Sequence, residues 1–529
     1  MDNKTTRKFA TLFFVVLISV SVCFAQDSNQ DEQKNESQDT PQELTVIEYD
    51  RSFDLNPHTS SFSNEAQILN SVYEGLFSYN QLTLEPEKAL ATDFHVSRNK
   101  KNWSFTIREG AFFSNDKPIT AESIKESWLN LIATKDATYS SFLDIIQGAK
   151  EYRTGNGKRE DVAIFTDDNN HLNVTLTKPA SHFPKILCHH AFSAVDPDGG
   201  ASGAYYIESV SKESIVLKKN DKYWDAATVS IPKITILLSN DSDENTYAFN
   251  LGEAQWVPGP FNAGKIINKS YINLAAEFGT EYLFFKSNKS PWNNPNFRLA
   301  LLTAAPWEEL RRIHTSKAET LIHPLTGYKS PEGFSYTNEA EAKVLLNEAR
   351  KEAGYAEDEK LTLKFAIMDN DYMKIMAQAL KEAWAKINVE VEIIEIPNEL
   401  YLQSISSTEA DLFTYTWIGD FADPLAFLEL FRSDSAMNET EWRNKDYDDL
   451  LDKACFTNDA SEHYDYLSKA EDLLLSSGLI MPISHPIAVN LVDTTVVKGF
   501  TNNALDIHPY KYMRINTDTH IDLPNVVKK

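Results

Sequence analysis

The chain has 529 residues, 42% of them hydrophobic and 11% aromatic, which is enough for two to four globular domains. Its formal net charge of −26 at pH 7 argues against nucleic acid or an anionic lipid surface as a partner. The charge does not identify a ligand, because acidic surfaces commonly serve solubility.

The N-terminus has the pattern of a secretory signal peptide. Three basic residues precede an apolar run from Phe9 to Val22, which is too short to span a bilayer comfortably. Residues 1–25 are therefore predicted to be a signal peptide, with cleavage after Ala25 as one processing route. No later stretch of the sequence is apolar for long enough to form a membrane helix.

The three cysteines bear on processing and on disulfide formation. Cys23 ends a segment that resembles a lipobox with an atypical Val, so lipidation of Cys23 is a second processing route. Residues 26–43 have no apolar side chain and are predicted to be a disordered spacer by either route. The protein is thus expected to be exported, either as a periplasmic protein or as a lipoprotein attached to the membrane by its N-terminus alone. Cys188 and Cys455 could pair in an oxidising compartment, but their sequence contexts favour core packing.

Hydrophobic periodicity predicts strands and helices through the rest of the chain. Strands are predicted at 44–49, 103–107, 172–176, 234–238, 361–367 and 389–396, with a hairpin at 203–207 and 214–218. Helices are predicted after the capping residues Asn64 and Thr120, and at 297–302, 339–353 and 372–387. The two strands around the last helix indicate a βαβ unit in a mixed sheet.

Sequence motifs for catalysis and metal binding are absent. The chain has no G-x-S-x-G elbow, no H-E-x-x-H, no C-x-x-C and no P-loop. Asp241 begins a segment that looks like a calcium loop, but Thr246 stands where the turn glycine belongs. His189 and His190 lack a third ligand at useful spacing, which favours a packed or solvated pair. We expect a protein without catalysis, cofactor or metal.

Asp420 is an acidic residue in unusually apolar company, between Trp417, Ile418 and Gly419 on one side and Phe421 on the other. If it is buried, its carboxylate needs a cationic partner, since an unpaired buried charge costs several kcal/mol. No Lys or Arg lies between Lys386 and Arg432, so a cationic ligand is one candidate. The alternatives are an Asp exposed in a turn and an Asp paired with a distant lysine.

Nine short motifs between Leu55 and Pro424 carry a resemblance to a known family. They are Leu55–His58, Tyr73–Leu76, Trp103–Arg108, Glu109–Phe113, Pro118–Ala121, Gly203–Tyr205, Asn220–Trp224, Pro291–Leu301 and Trp417–Pro424. In type and order they resemble motifs of the extracellular solute-binding proteins of oligopeptide and dipeptide ABC importers, which belong to the family 5 peptide/nickel group.

This resemblance implies an α/β, two-lobed periplasmic binding protein fold of the large three-domain, type II-like class. Such a fold has mixed sheets and a ligand cleft between the lobes. The domains implied are domain I at 44–78, 200–285 and 490–529, domain II at 79–199 and domain III at 286–489. The function implied is that of a monomer that captures oligopeptides and delivers them to the permease and ATPase of an ABC importer.

The resemblance also implies which residues meet the ligand. Asp420 matches the aspartate that holds the α-ammonium group of the peptide, and Tyr139 matches a tyrosine close to the same end. The other residues expected to flank the ligand are Ser61, Phe62, Ser63, Thr416, Trp417, Ile418 and Gly419. Main-chain pairing of the ligand with protein strands, as in β-augmentation, is expected to carry much of the recognition.

Two departures from the family pattern concern the carboxyl end of the ligand. Thr414 stands where the enteric oligopeptide receptor has an arginine, and Met373 stands by spacing where it has a histidine. The anchors are therefore lost or moved, with Lys374, Arg432 and Arg443 as candidates. The same fold with another solute, such as a nickel complex, a sugar or a murein peptide, stays open. So does a surface adhesin or peptide chaperone without a transporter.

Overall fold

The computed structural model describes residues 43–516 apart from Ser61, Asp136, Thr138, Asp168, Asn169, Glu357 and Asn458, and it describes Glu399 by its backbone only. The predicted signal peptide, Cys23 and the spacer up to residue 42 lie outside these residues. In the described ranges, no helix has both the length and the apolar character needed to cross a membrane.

The strands are short, and most lie in three sheets. They are β1 (Leu44–Glu48), β2 (Phe77–Tyr79), β3 (Pro86–Lys88), β4 (Ala91–Val96), β5 (Asn102–Ile107), β6 (Ile164–Thr166), β7 (His171–Thr175), β8 (Tyr205–Val210), β9 (Ser214–Lys219), β10 (Lys233–Leu238), β11 (Trp256–Val257), β12 (Ile272–Ala276), β13 (Gly279–Phe285), β14 (Leu361–Met368), β15 (Val389–Ile396), β16 (Leu412–Ile418), β17 (Ile480–Ser484), β18 (Ile487–Val492), β19 (Val497–Lys498) and β20 (Arg514–Ile515).

The helices are concentrated in the second half of the chain. They are α1 (Ser63–Val72), α2 (Ala121–Ala133), α3 (Ala149–Arg153), α4 (Phe183–Ile186), α5 (Ser242–Asn250), α6 (Pro295–Ala304), α7 (Trp307–Arg311), α8 (Glu339–Ala353), α9 (Asp371–Ala385), α10 (Asn398–Ser404), α11 (Leu425–Leu428), α12 (Lys445–Phe456) and α13 (Ala460–Ser476). Short 3-10 helices lie at Ser140–Ile145, Arg159–Asp161, His190–Phe192, Ala226–Thr228, Lys269–Tyr271, Glu429–Phe431 and Tyr510–Tyr512.

A seven-stranded sheet gathers strands from three separated parts of the chain, in the order β12-β18-β11-β1-β10-β9-β8. Strand β1 runs parallel to both β10 and β11, and the other neighbours are antiparallel. The apolar side of α1 packs on this sheet through Ile68 and Val72, which share a core with Val46 and Trp256. The predicted strands and hairpin of this region are confirmed, whereas the domain boundaries stay a prediction.

A four-stranded antiparallel sheet, β4-β5-β7-β6, is covered by α2. Alternation along β5 buries Trp103, Phe105 and Ile107 against the helix residue Trp128. Thr120 caps α2 by accepting a hydrogen bond from the Ser123 N–H, as predicted.

A mixed five-stranded sheet, β15-β14-β16-β13-β17, has apolar side chains on both faces. Strands β14 and β15 are parallel and are joined by α9, so the predicted βαβ unit is confirmed. Successive residues of β13 belong to different cores: Leu283 packs with the residues of α6, α8 and α9, and Phe284 packs on the other side with Phe413. A sheet covered on both faces gives β16 a fixed position inside the molecule.

The predicted cap of α1 is wrong. The N-cap position is Phe62, and the helix begins at Ser63. The Asn64 amide oxygen accepts instead from the Arg51 guanidinium, and the Glu65 carboxylate accepts from the Phe62 N–H at 3.3 Å. The local pattern predicted that the Asn64 side chain caps α1, but this side chain is hydrogen-bonded to Arg51 instead.

Candidate ligand-binding site

Strand β16 is paired along one edge and left open along most of the other. Its pairing with β13 runs over the whole strand, whereas its pairing with β14 ends after the first two residues. The Gly419 N–H donates to the Phe278 C=O at 2.7 Å, which shows that residues of odd number face β13. The main-chain groups of Thr416 and Ile418 therefore face the opposite edge, where no described strand pairs with them.

The turn after β16 is fixed by close packing. A Cβ atom on Gly419 would lie 2.7 Å from Cδ1 of Phe278 and 3.1 Å from Cε2 of Phe427, so glycine is required by the space available. The indole Nε1–H of Trp417 donates to the Ala426 C=O at 2.9 Å. These contacts hold the main chain on both sides of Asp420.

The Asp420 carboxyl group is buried, and no described residue provides a counter-ion for it. The residue is 9% exposed, and Oδ2 has no hydrogen-bond partner in the described part of the chain. Burial raises the pKa of this carboxyl from 3.8 to about 8, against a smaller opposing effect of its own backbone N–H. Asp420 is therefore not exposed in a turn, and no described lysine pairs with it, so the structure supports neither alternative from the sequence. A cationic ligand group placed beside Oδ2 would complete the site.

One tyrosine contacts Asp420, and two more are affected by its charge. The Tyr79 hydroxyl donates to the Asp420 C=O at 2.9 Å. Burial raises the pKa of Tyr79, Tyr139 and Tyr415, and the negative charge of Asp420 raises each of them further. Tyr139, predicted near the amino end of the ligand, thus lies within electrostatic reach of Asp420. The sequence missed Tyr79, because a tyrosine at the end of a short strand carries no signal of its own.

The start of α1 is the other segment that the resemblance predicts to flank the ligand. Phe62 is 50% exposed with extended backbone, and Ser63 is exposed as well. The charge of Glu65, in the first turn of α1, is among the causes that raise the Tyr139 pKa, after burial and Asp420. The negative charges of Asp420 and Glu65 thus both act on Tyr139. Ser61 falls outside the described residues.

Asp423, three residues after Asp420, has the partners that Asp420 lacks. Its carboxylate lies 3.0 Å from Nε2 of His463 and 3.8 Å from Nζ of Lys185, and it accepts from the Leu425 N–H at 3.0 Å. Burial alone would raise the pKa of Asp423, but the His463 and Lys185 contacts hold it below its usual value. Through the Leu425 hydrogen bond, Asp423 also caps the turn that leads into α11.

The histidine pair and the cysteines are core residues. His189 and His190 are buried, and the His189 ring lies 4.1 Å from that of Tyr139 between centroids. Throughout the ranges that the structure describes, no three His, Cys, Asp or Glu side chains are grouped as metal ligands. Cys188 and Cys455 are both buried and are not joined to each other.

The residues considered as anchors for the carboxyl end of a ligand are mostly buried or already paired. Thr414 and Met373, the positions of the family's anchors, are both buried. Arg432 is buried too and is paired with Glu429 at 2.6 Å. Lys374 pairs with Asp369 at 2.7 Å on the surface. Thr414 and Met373 are thus buried, and Arg432 and Lys374 already have acidic partners, although Arg432 also lines a cavity together with His182 and Phe421.

The family model for bacterial extracellular solute-binding proteins, family 5, middle region, matches residues 85–439. That match covers more than half of the chain and spans both the four-stranded sheet and β16. The chain belongs to this family.

Curated relatives of the family 5 chain align over most of their length. The dipeptide-binding protein DppE of Bacillus subtilis is 28% identical, with 84% of this chain and 86% of the relative covered. The oligopeptide-binding protein OppA of the same organism is 26% identical, with 91% and 94% covered. The probable deoxycholate-binding periplasmic protein YgiS of Escherichia coli is also 26% identical, with 83% and 87% covered.

Solved structures show the same fold. The murein tripeptide-binding protein MppA of Escherichia coli superposes with a TM-score of 0.76 at 24% identity, covering 90% of this chain and 99% of that protein. OppA of Haemophilus influenzae in complex with the peptide RPPGFSPFR superposes with a TM-score of 0.75 at 20% identity, with the same shares covered. The predicted two-lobed periplasmic binding protein fold is thereby confirmed.

Proposed function

We propose that this family 5 protein captures oligopeptides by their free amino end and delivers them to an ABC importer. The observation that carries the proposal is the buried Asp420 carboxyl, whose Oδ2 has no partner among the described residues and which lies just beyond the open edge of β16. A peptide has an α-ammonium group and a main chain with donors and acceptors in strand spacing. The ammonium group would pair with the Asp420 carboxylate, and the main chain would pair with the open edge of β16.

The recognition step follows from this geometry. The α-ammonium of the ligand lies at Oδ2 of Asp420, and its main chain pairs with Thr416 and Ile418 along the open edge. Phe62 and Ser63 cover the ligand from the start of α1. Contacts from both sides favour the closed arrangement of the lobes, so the ligand shifts the population toward it. The closed form is then the one that docks on the permease and its ATPase.

The names of the relatives favour a peptide over another solute. DppE and OppA are named for dipeptides and oligopeptides, whereas YgiS is named for deoxycholate at the same identity as OppA. Identity alone therefore does not select the solute. Deoxycholate has no amino group, so it would leave Asp420 without a counter-ion. The carboxylate of Asp420 favours an amino-terminated ligand.

Location and assembly complete the proposal. The signal-peptide pattern predicts export. Lipidation of Cys23 would give a lipoprotein, whereas cleavage after Ala25 would give a free periplasmic protein. We expect a monomer that performs no catalysis. Cells without this chain should fail to import free-amino peptides through the importer it serves.

The first test compares peptides with and without a free amino end. Native mass spectrometry of the purified protein should show bound peptides, and Asp420→Asn should lose them. By calorimetry, N-acetylation of a tripeptide or Asp420→Asn should each weaken binding by roughly 30-fold or more, as for a buried charge pair that loses one partner.

Asp411→Asn is the matched control. Asp411 is a partly buried aspartate just before β16, and its carboxylate accepts the Lys364 N–H at 2.8 Å, a bond that an amide oxygen can keep. This variant should bind free-amino peptides as the wild type does. Equal binding of free and acetylated peptides by the wild type would rule out Asp420 as the ammonium site.

A further inference from the structure

The open edge of β16 ends at a single side chain. Thr414 has the same orientation in the strand as Thr416 and Ile418, so its main-chain N–H and C=O also face away from β13. The Thr414 N–H, however, already donates to the hydroxyl of Tyr401 at 2.8 Å. The Tyr401 hydroxyl lies 3.0 Å from the Thr414 C=O and 3.2 Å from the Ala366 C=O, and it donates to one of them.

Tyr401 occupies the gap where two strands separate. Strands β14 and β16 pair at Ala366 and Phe413 and diverge beyond them. The Tyr401 ring enters from α10 and is 1% exposed, and Thr414 is buried to the same degree. The Thr414 hydroxyl adds a further bond to the Tyr401 hydroxyl at 3.0 Å. The phenol thus stands where an added strand would have to continue.

We propose that Tyr401 is a specificity-determining residue that limits strand pairing of the ligand to its first four residues. This inference rests on the proposed peptide function. A ligand with its ammonium at Asp420 runs antiparallel to β16. If its first residue pairs with Ile418, its third pairs with Thr416, and its fifth would need Thr414. Because Tyr401 holds Thr414, the fifth residue leaves the edge without main-chain bonds to β16.

The test measures affinity against ligand length. Calorimetry with alanine peptides of two to six residues, all with free amino ends, should show affinity rising up to four residues and changing less than about 2-fold beyond. In Tyr401→Ala, which removes the hydroxyl and the ring, the five- and six-residue peptides should gain about 3- to 10-fold over the tetrapeptide, the range of one or two hydrogen bonds.

Tyr447→Ala is the matched control. Tyr447 is an equally buried tyrosine whose hydroxyl donates to the Leu428 C=O at 2.6 Å, away from the open edge. It should lose stability as Tyr401→Ala does and keep the wild-type length profile. An unchanged profile in a folded Tyr401→Ala protein, or wild-type affinity that keeps rising to six residues, would overturn the role of Tyr401.

Hydrogen exchange of the wild type decides the question if Tyr401→Ala does not fold. The Thr414 amide should be protected in the empty protein and unchanged by any ligand, whereas the Thr416 and Ile418 amides should gain protection when the tripeptide binds. A Thr414 amide that gains protection only with longer peptides would contradict the inference. If no alanine peptide binds the wild type, the proposed function fails instead.

Discussion

At the scale of single residues, two aspartates in one turn have opposite electrostatics. Asp420 and Asp423 are both buried, yet burial without a partner raises the pKa of Asp420 to about 8, while the contacts with His463 and Lys185 hold the pKa of Asp423 low. The residue type and the local sequence are nearly the same. The difference comes from which side chains of distant segments reach each carboxylate.

The Asp423–His463 pair gives a pH-dependent prediction. Although burial opposes it, hydrogen bonding to Asp423 raises the pKa of His463 above 6.5. A raised histidine pKa contributes stability that is complete below pH 6.5 and is lost as the pH rises through the raised value. Asp423→Asn should therefore reduce the free energy of unfolding by about 1–3 kcal/mol at pH 6, and by less at pH 9, in urea titrations.

Asp465→Asn serves as the control for that experiment. Asp465 pairs on the surface with Lys469 at 2.6 Å, and surface pairs contribute little. Its substitution should change stability by less than about 1 kcal/mol at either pH. An equal cost of Asp423→Asn at pH 6 and pH 9 would show that a charged His463 does not stabilise the fold.

At the scale of elements, the strand β16 and the turn after it place the open edge and the Asp420 carboxyl next to each other. The alternation of the strand directs Thr416 and Ile418 to the open edge, and Gly419 lets the chain pass against Phe278. Both features follow from residues in one short segment. The segment therefore contributes a pairing edge and a carboxylate at a fixed distance from each other.

Gly419→Ala tests the close passage of this turn. The new methyl group would overlap the Phe278 ring, so we expect a loss of about 1–3 kcal/mol in unfolding free energy and weaker peptide binding, because Asp420 moves. Gly264→Ala is the comparison, since Gly264 is exposed and the nearest atom to an added Cβ is the Asn262 side-chain oxygen at 3.1 Å. That variant should change stability by less than about 0.5 kcal/mol. Equal stabilities would contradict the packing argument.

Most elements were predictable from periodicity alone. The helix at Glu339–Ala353 and the strand at Val389–Ile396 have the predicted bounds, because each has an apolar face that must be buried. The cap of α1 was not predictable. The Arg51 guanidinium donates a hydrogen bond to the Asn64 side chain, and no local sequence pattern predicts that contact.

At the scale of the whole molecule, Asp420 is enclosed by regions that meet at several points. The His182 ring stacks on Phe421 at 5.9 Å, and Lys100 Nζ donates to the Thr457 C=O at 2.7 Å. We interpret these contacts as the closed arrangement of the lobes that the proposed function requires. In it, an ionised Asp420 has no counter-ion in the described chain, so closure without ligand is disfavoured.

Closure should therefore depend on pH in the empty protein. A raised carboxyl pKa favours the closed form at low pH, and this preference is lost as the pH rises toward 8. Small-angle X-ray scattering should give a larger radius of gyration at pH 8.5 than at pH 5 for the ligand-free wild type. A free-amino tripeptide should reduce it at pH 7.5, because its ammonium group pairs with the carboxylate of Asp420 and stabilises the ionised form in the closed arrangement.

Two variants distinguish the titration of Asp420 from any other cause of a larger radius of gyration at high pH. Asp420→Asn should be compact at both pH values and insensitive to the tripeptide, whereas Asp411→Asn should behave as the wild type. A radius of gyration that follows pH equally in Asp420→Asn would show that another group controls closure.

The sequence by itself determined the elements, the mixed sheets and the family resemblance, since these depend on apolar periodicity and on short motifs. It also singled out Asp420, because an acidic residue among aromatic residues is unusual. Only the tertiary structure decided that Asp420 has no charged partner among the described residues while Asp423 has two, and that Tyr401 closes the edge of β16 at Thr414. These outcomes depend on contacts between residues far apart in sequence, and local patterns carry no information about them.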